Sequence, residues 1–327
     1  MVDNKMNRRD FLKMTARAGI AVGVVSGGAF LLHNREETPS TSEFVAQVKD
    51  FRISGKGLPS MVIAKGEHPA KMVKTAIEGM GGMKRFISRG DVVVIKPNIG
   101  WDRSPEQAAN TNPEVVAETV KLCYEAGAKK VIVTDVSCND PRRCFFRSGI
   151  GKSAQGAGAD VRLPQEHKFR NMAIKGEVLK VWPVYSVILE ADKVINIPIA
   201  KHHNHSTLTL GMKNWYGLLG GKRKELHQNI HVSIADLANF IHPTLTIIDA
   251  YRILIKNGPQ GGSIHDVKMM NTVAVSTDPV AADAFASTLF GKKPEEIGYI
   301  VEAHKRGIGN INYMELNPVI IGDTLVS

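Results

Sequence analysis

One stretch of the sequence, residues 196–231, concentrates side chains that could do chemistry. It contains five of the eleven histidines, together with lysines, an arginine and several glycines. It follows an apolar run, 193–199, that is typical of a buried strand. In α/β proteins, ligands bind beyond the carboxyl ends of such strands. The sequence therefore predicts a functional site here.

Charged or amide side chains also follow four other apolar runs. Because the carboxyl ends of parallel strands meet at one edge of a sheet, we expect these groups to converge on a small anionic ligand. The expected catalytic residues are Lys201, His202, Lys213 and His227. The expected substrate-binding residues are Lys96, Asn98, Asn214, Lys224, Asp249 and Asp278. Alternatively, the lysines lie on a solvated face of a helix and bind no ligand, and Asp278 only caps a helix.

The histidines could also form a metal site. His227 and His231 are four residues apart and share a face if they lie on a helix. With one of His202, His203 or His205, and with Asp135, they could hold a divalent metal. Proton transfer, anion binding or a structural role would use the same side chains equally well. No H-E-x-x-H pattern and no iron–sulfur motif occurs.

The elements that must position these groups alternate between strand and helix. Runs such as 91–96 and 130–136 are rich in β-branched residues, which indicates strands buried on both faces. Asn112-Pro113-Glu114 is a typical helix start. The pattern predicts an α/β fold with a largely parallel sheet, helices on both faces and a small inserted subdomain around 138–190. We expect a single domain over 60–327.

Six ordered blocks of sequence resemble the domain of unknown function 362 family. These blocks are Lys96-Pro97-Asn98, Lys201-His202, 209–217, Lys224 with His227, 257–261 and 277–284. The resemblance covers residues 60–309 and implies no settled reaction. Many relatives carry a ferredoxin-like module, but this chain has three cysteines and no C-x-x-C run, so that cofactor is not carried over. Cys138 and Cys144 could pair in an oxidising compartment or stay free.

The N-terminal residues predict export. Arg8-Arg9-Asp10-Phe11-Leu12-Lys13 followed by a mildly apolar segment resembles a twin-arginine signal. We expect residues 1–33 to be a signal or anchor and 34–59 a linker. The protein would then meet the twin-arginine machinery and work in the periplasm or on the outer face of the cytoplasmic membrane, touching the membrane only through this segment.

The charge of the chain favours anionic partners. The formal net charge is +10, but the basic residues are scattered and no nucleic-acid signature occurs, which argues against nucleic-acid binding. The sequence therefore predicts an exported enzyme that acts on a small anion. The alternative is a non-catalytic metal- or cofactor-binding accessory protein of an envelope redox system.

Overall fold

A ten-stranded, mostly parallel sheet forms the centre of the computed structural model, which describes residues 47–53 and 57–322. The main strand order is β12-β1-β11-β10-β7-β2-β3-β4, and β8 pairs with β10 and β9. The strands are β1 (Met61–Lys65), β2 (Val92–Pro97), β3 (Lys130–Thr134), β4 (Asp160–Arg162), β5 (Phe169–Ala173), β6 (Val181–Tyr185), β7 (Lys193–Ile197), β8 (Ile199–His203), β9 (Thr207–Thr209), β10 (Leu245–Leu254), β11 (Val267–Ser276) and β12 (Val319–Ile321).

Helices cover both faces of this sheet. They are α1 (Pro69–Gly79), α2 (Pro113–Glu125), α3 (Pro141–Arg147), α4 (Ile150–Gly156), α5 (Gly211–Asn214), α6 (Ile230–Phe240), α7 (Pro279–Thr288) and α8 (Gly298–Lys305). The predicted fold class is confirmed. β2, β3, β4, β7 and β10 are parallel neighbours, while β11 runs antiparallel between β10 and β1.

The central strands are mostly apolar because each one packs against two cores. In β2, Val94 packs in the core that includes α6, α7 and α8, while Val93 and Ile95 pack in the core that includes α1, α2 and α4. Successive side chains of a strand point to opposite faces, so a strand buried on both faces has no polar alternation. The same arrangement holds β3 and β7 in the middle of the sheet.

Side-chain caps start the helices that follow the strand ends. The Asn112 side chain accepts a hydrogen bond from the N–H of Glu114, and the Asp140 side chain accepts one from Arg143. Asp278 accepts from the N–H groups of Val280 and Ala281 at the start of α7. These caps satisfy N–H groups that have no partner within the helix.

Three parts of the fold differ in detail from the sequence prediction. β10 extends as far as Leu254, and β11 begins as early as Val267. The two therefore form a long antiparallel pair rather than two short strands. The run 177–180 is not a strand, and the strand predicted there begins only at Val181. The inserted part contains a separate two-stranded sheet of β5 and β6, whereas β4 joins the main sheet.

Part of the predicted linker packs against the domain. Phe51 is buried, its N–H donates to His242 O at 3.1 Å, and the Thr244 hydroxyl donates to its carbonyl oxygen. The burial of the Phe51 ring explains why this segment is ordered, which its mainly polar composition does not indicate. The residues that the structure describes form one compact unit.

The predicted export signal lies outside the described residues, so the structure does not bear on it. Among the residues that are described, no helix has the length and apolar character needed to cross a membrane.

Candidate functional site

A cavity of about 740 Å³ lies at the carboxyl ends of β2 and β3, beside β8 and α5, and we call it the lysine cavity. Its charged lining residues are Lys96, Asp135, Lys201, Lys213, Lys222, Arg223, Lys224 and Glu225. Asn98, Asn214, His203, His227, Tyr216, Cys138 and Trp101 also line it. Six cations and two acids share one concave site, which makes the site strongly electropositive.

A buried ion pair forms the floor of the lysine cavity. Lys96 ends β2, Asp135 follows β3, and the lysine Nζ lies 2.8 Å from Asp135 Oδ1. Asp135 Oδ2 also accepts the Ile99 N–H at 2.6 Å. Burial lowers the pKa of Lys96, and the carboxylate of Asp135 opposes that effect. The pair is electrically neutral and joins two neighbouring strand ends.

Gly217 lies directly over this ion pair. A Cβ at that position would overlap Asp135 Oδ1 and the Lys96 ammonium. The Gly217 carbonyl accepts the Val136 N–H at 2.8 Å, which holds the turn after α5 close to the end of β3. Only glycine leaves room for this approach.

A chain of amides leads from the ion pair to Lys201. Lys96 can only donate, so its 2.7 Å bond identifies the facing atom of Asn214 as Oδ1. That oxygen also accepts the Asn98 Nδ2 at 3.0 Å. Asn98 must then present its own Oδ1 to Lys201 Nζ, at 3.0 Å. The donor-only Lys96 therefore fixes the orientation of both amides.

Lys201 is a buried amine without an acidic partner. Its second hydrogen bond goes to the Ala109 carbonyl at 2.6 Å, and among the described residues no carboxylate lies within ion-pair distance. Burial lowers the pKa of Lys201 to about 7, and nearby Lys213 and Lys96 also act to lower it. A large share of the molecules thus carries a neutral amine near neutral pH.

Lys213 and Arg223 supply positive charge that no acid of the described chain neutralises. Lys213 Nζ lies 4.3 Å from the centre of the Tyr216 ring and donates no hydrogen bond to the described residues. Burial lowers its pKa to about 8, and the Arg223 charge adds to that effect. Arg223 donates only to backbone carbonyls, at 2.7 Å to Val136 and 2.8 Å to Ser137. These two side chains are suited to bind an anion.

The alternation of β8 selects His203 rather than His202 for the cavity. Lys201 and His203 are two residues apart and share one face of the strand, whereas His202 points to the other. His202 Nδ1 accepts the Gly258 N–H at 3.2 Å and does not line the cavity. His203 Nδ1 accepts the N–H groups of His205 and Ser206, so a neutral ring carries its proton on Nε2. Burial lowers the pKa of His203 strongly.

Three imidazoles meet at the entrance. The ring centres of His203, His205 and His227 are 5.5 to 6.0 Å apart. Burial, with a smaller effect from Lys213, lowers the pKa of His227. Within 47–53 and 57–322, however, no three His, Cys, Asp or Glu side chains are placed to hold a metal ion.

The other residues expected at the site lie elsewhere. His231 stacks on Tyr299 with ring centres 6.3 Å apart, so His202, His227, His231 and Asp135 do not form one metal shell. Asp249 Oδ2 accepts the Asn112 N–H at 2.7 Å, and burial raises its pKa to about 6. Asp278 caps α7 and also accepts the Asn310 N–H. Neither aspartate lines the lysine cavity.

The structure brings together most of the predicted lysines and amides and adds residues that sequence reasoning missed. Lys96, Asn98, Asp135, Lys201, Lys213, Asn214, Lys224 and His227 all line the cavity. His203 is expected from the sequence only as an alternative metal ligand, and Arg223 is missed altogether. Strand alternation from Lys201 signals the first, but nothing in the local sequence separates Arg223 from the exposed lysines beside it.

The cysteines are all free thiols in this structure. Cys123 and Cys144 are buried, while Cys138 is exposed and lines the lysine cavity. Burial raises the pKa of Cys144 to about 11, which keeps it protonated. Cys138 and Cys144 are therefore not joined here.

Proteins of known sequence or structure are similar to this chain. The thylakoid-associated protein sll1697 of Synechocystis sp. is 27% identical over 244 residues, which cover 72% of this chain and 74% of that protein. The lactate racemase apoprotein of Thermoanaerobacterium thermosaccharolyticum has a TM-score of 0.41 at 14% identity, over 74% of this chain and 58% of that one. A Thermotoga maritima protein of known structure has a TM-score of 0.37 at 10% identity, over 74% and 60%.

This chain thus spans less than two thirds of each of those two solved structures. The sequence model of the domain of unknown function DUF362 matches residues 93–288, more than half of the 327 residues, and includes the floor of the lysine cavity. The resemblance predicted from the six sequence blocks is confirmed, and the chain belongs to the DUF362 family.

Proposed function

We propose that this protein is an enzyme that binds a small anionic substrate in the lysine cavity. The observation that carries the proposal is Lys213, which is 6% exposed and has no acidic partner among the described residues. An unpaired buried charge is costly, and proteins keep one where a ligand pairs with it. A carboxylate or phosphate group of the substrate would be that partner.

The cavity divides into a binding part and a reactive part. Lys213 and Arg223 would bind the anion, with Lys224 at the rim. Lys201, whose pKa is lowered to about 7, has the protonation balance that acid–base or nucleophilic catalysis needs at neutral pH. Asn98 and Asn214 would hold Lys201 in place through the amide chain.

Isothermal titration with oxalate and with inorganic phosphate tests the proposal. Lys213→Met removes the charge and keeps a similar volume, so we expect at least about a tenfold loss of affinity. Lys268→Met is the matched control, because Lys268 is exposed on β11 and outside the cavity. Binding of neither anion to the wild type, or equal affinities for the two variants, would contradict the proposal.

We also propose that the protein is exported by the twin-arginine route to the periplasm or the outer face of the membrane. The support is the Arg8-Arg9 pair with the apolar segment that follows it. Replacing both arginines with lysine should retain the protein in the cytoplasm on cell fractionation. Unchanged distribution between the fractions would refute this route.

A second candidate function is a metal- or cofactor-binding accessory role in an envelope redox system. The observation that favours it is that His203 and His227 line the cavity with ring centres 6.0 Å apart, where a bound cofactor would complete the coordination of a metal ion. Elemental analysis of protein purified from its native compartment tests it. Less than about a tenth of an equivalent of any transition metal, with no chromophore, would refute it.

A further inference from the structure

The bonding pattern around Lys201 leaves one position of its amine open. Asn98 Oδ1 and the Ala109 carbonyl accept two N–H groups, at 3.0 and 2.6 Å. A neutral amine has two N–H donors and one lone pair, so these two acceptors use both donors. No third acceptor lies within hydrogen-bond distance among the described residues. The lone pair therefore remains available to the cavity that Lys201 lines.

The surroundings distinguish Lys201 from the two other buried lysines. Lys96 has Asp135 as a counter-charge at 2.8 Å, and Asn214 occupies a further position of its ammonium. Lys213 keeps its amine over the Tyr216 ring. Lys201 alone combines full burial, neutral acceptors and neighbouring cations, a combination that activates lysine as a nucleophile.

Lys213 and Arg223 define what else the reacting molecule must carry. Both cations line the same cavity and have no acidic partner in the described chain. They would hold an anionic group while another part of the molecule reaches Lys201. A primary amine with a free lone pair attacks a carbonyl carbon. The two requirements together describe an oxo acid, a carbonyl compound that also bears a carboxylate.

We propose that Lys201 forms a Schiff base with the carbonyl carbon of an oxo acid whose carboxylate is bound by Lys213 and Arg223. This inference rests on the proposed anion-binding function and names its substrate class.

The step balances without any oxidant or reductant. The lone pair of Lys201 Nζ forms a bond to the carbonyl carbon, and the C=O electron pair moves to oxygen. A proton passes from nitrogen to that oxygen and gives a carbinolamine. A second proton, taken from solvent or from a neighbouring acid, then releases the oxygen as water and leaves a protonated imine. The positive imine replaces the charge that a protonated Lys201 would carry, and the bound carboxylate offsets it.

Reductive trapping tests the inference. The full-length protein is incubated with pyruvate and sodium cyanoborohydride at pH 7, then digested with trypsin and analysed by mass spectrometry. A secondary amine at Lys201 blocks cleavage there. We therefore expect a reduced pyruvyl adduct on a peptide that spans residues 194–213.

Variants assign the adduct. Lys201→Met and Lys201→Arg should each reduce labelling at least about twentyfold, and Lys213→Met should raise the half-saturating pyruvate concentration about tenfold. Lys268→Met should label like the wild type. Because Lys201 is buried, the melting temperature of each variant is measured first, and the wild-type adduct site stands as evidence even if one variant does not fold.

Oxalate separates the two proposals, since it binds as an anion but has no ketone. If oxalate binds in the wild type and no adduct forms, or the adduct lies on another lysine, the Schiff-base inference is refuted and the anion-binding proposal stands. If neither oxalate nor inorganic phosphate binds, the anion-binding proposal fails, and a pyruvyl adduct on Lys201 that forms equally well in Lys213→Met would refute the carboxylate site at Lys213 and Arg223.

Discussion

Lys213→Met should make the protein more stable at pH 7 although it removes a side chain of the candidate site. Burial lowers the pKa of Lys213 from 10.5 to about 8. At about 1.36 kcal/mol for each pH unit, this difference of about 2.5 means that keeping the ammonium buried costs the folded protein about 3 kcal/mol. Methionine does not carry this cost. The lost cation–π contact with Tyr216 offsets about 1–2 kcal/mol of the gain.

The pH dependence gives the sharper test. A lowered lysine pKa means that the unfolded chain binds more protons than the folded protein between pH 8 and 10.5. The cost is therefore complete below about pH 8 and absent above 10.5. The advantage of Lys213→Met over the wild type should therefore fall from about 1–2 kcal/mol to near zero across that window, because the neutral amine has neither a buried charge nor a cation–π contact.

Urea denaturation of both proteins at pH 7, 8, 9 and 10 measures this difference directly. Lys268→Met serves as the control, because its exposed side chain should give a difference that does not change with pH. The reasoning would be refuted by a Lys213→Met difference that is constant with pH. It would also be refuted by a variant clearly less stable than the wild type at pH 7.

Three further changes test other parts of the cavity. Asp135→Asn leaves Lys96 buried without its carboxylate, so urea denaturation should show that the free energy of unfolding falls by about 3 kcal/mol. Adding Lys96→Met should restore part of that loss, and strictly additive effects of the two substitutions would contradict the pairing. Gly217→Ala should weaken oxalate binding at least about tenfold in calorimetry, because its Cβ overlaps the ion pair, whereas Gly156→Ala faces open space and should bind normally. Asp283→Ala removes the carboxylate that accepts two N–H groups at the start of α5, so the free energy of unfolding should fall by about 2 kcal/mol. An unchanged urea midpoint would show that Asp283 does not anchor α5.

The main sheet was predictable because its strands are buried on both faces. Continuous β-branched runs such as 91–96 have few other interpretations. The lengths of β10 and β11 were not predictable, since their outer halves alternate less regularly and are stabilised by pairing with each other. The order of the strands likewise depends on contacts between distant segments, which local patterns do not encode.

The site was predictable where a residue follows a buried strand and harder to predict elsewhere. Lys96 and Asp135 occupy such positions and meet as expected. His202 was chosen by its place beside Lys201, but a strand turns adjacent side chains to opposite faces, and His203 takes the position in the cavity. Asp278 could be a cap or a ligand by sequence alone, and the structure assigns its carboxylate to N–H groups.

The amide chain also has a consequence for how protons accompany the ligand. Asn98 stands where an aspartate would have given Lys201 a permanent counter-ion, and Lys213 has no acidic partner among the described residues. An arriving anion therefore becomes the counter-ion and raises the affinity of Lys213 for its proton. At pH 8, near the lowered pKa of that lysine, binding should take up to about half a proton from solution. Because binding takes up protons, the affinity for the anion should fall as the pH rises. Calorimetry in buffers of different ionisation enthalpy would measure the uptake.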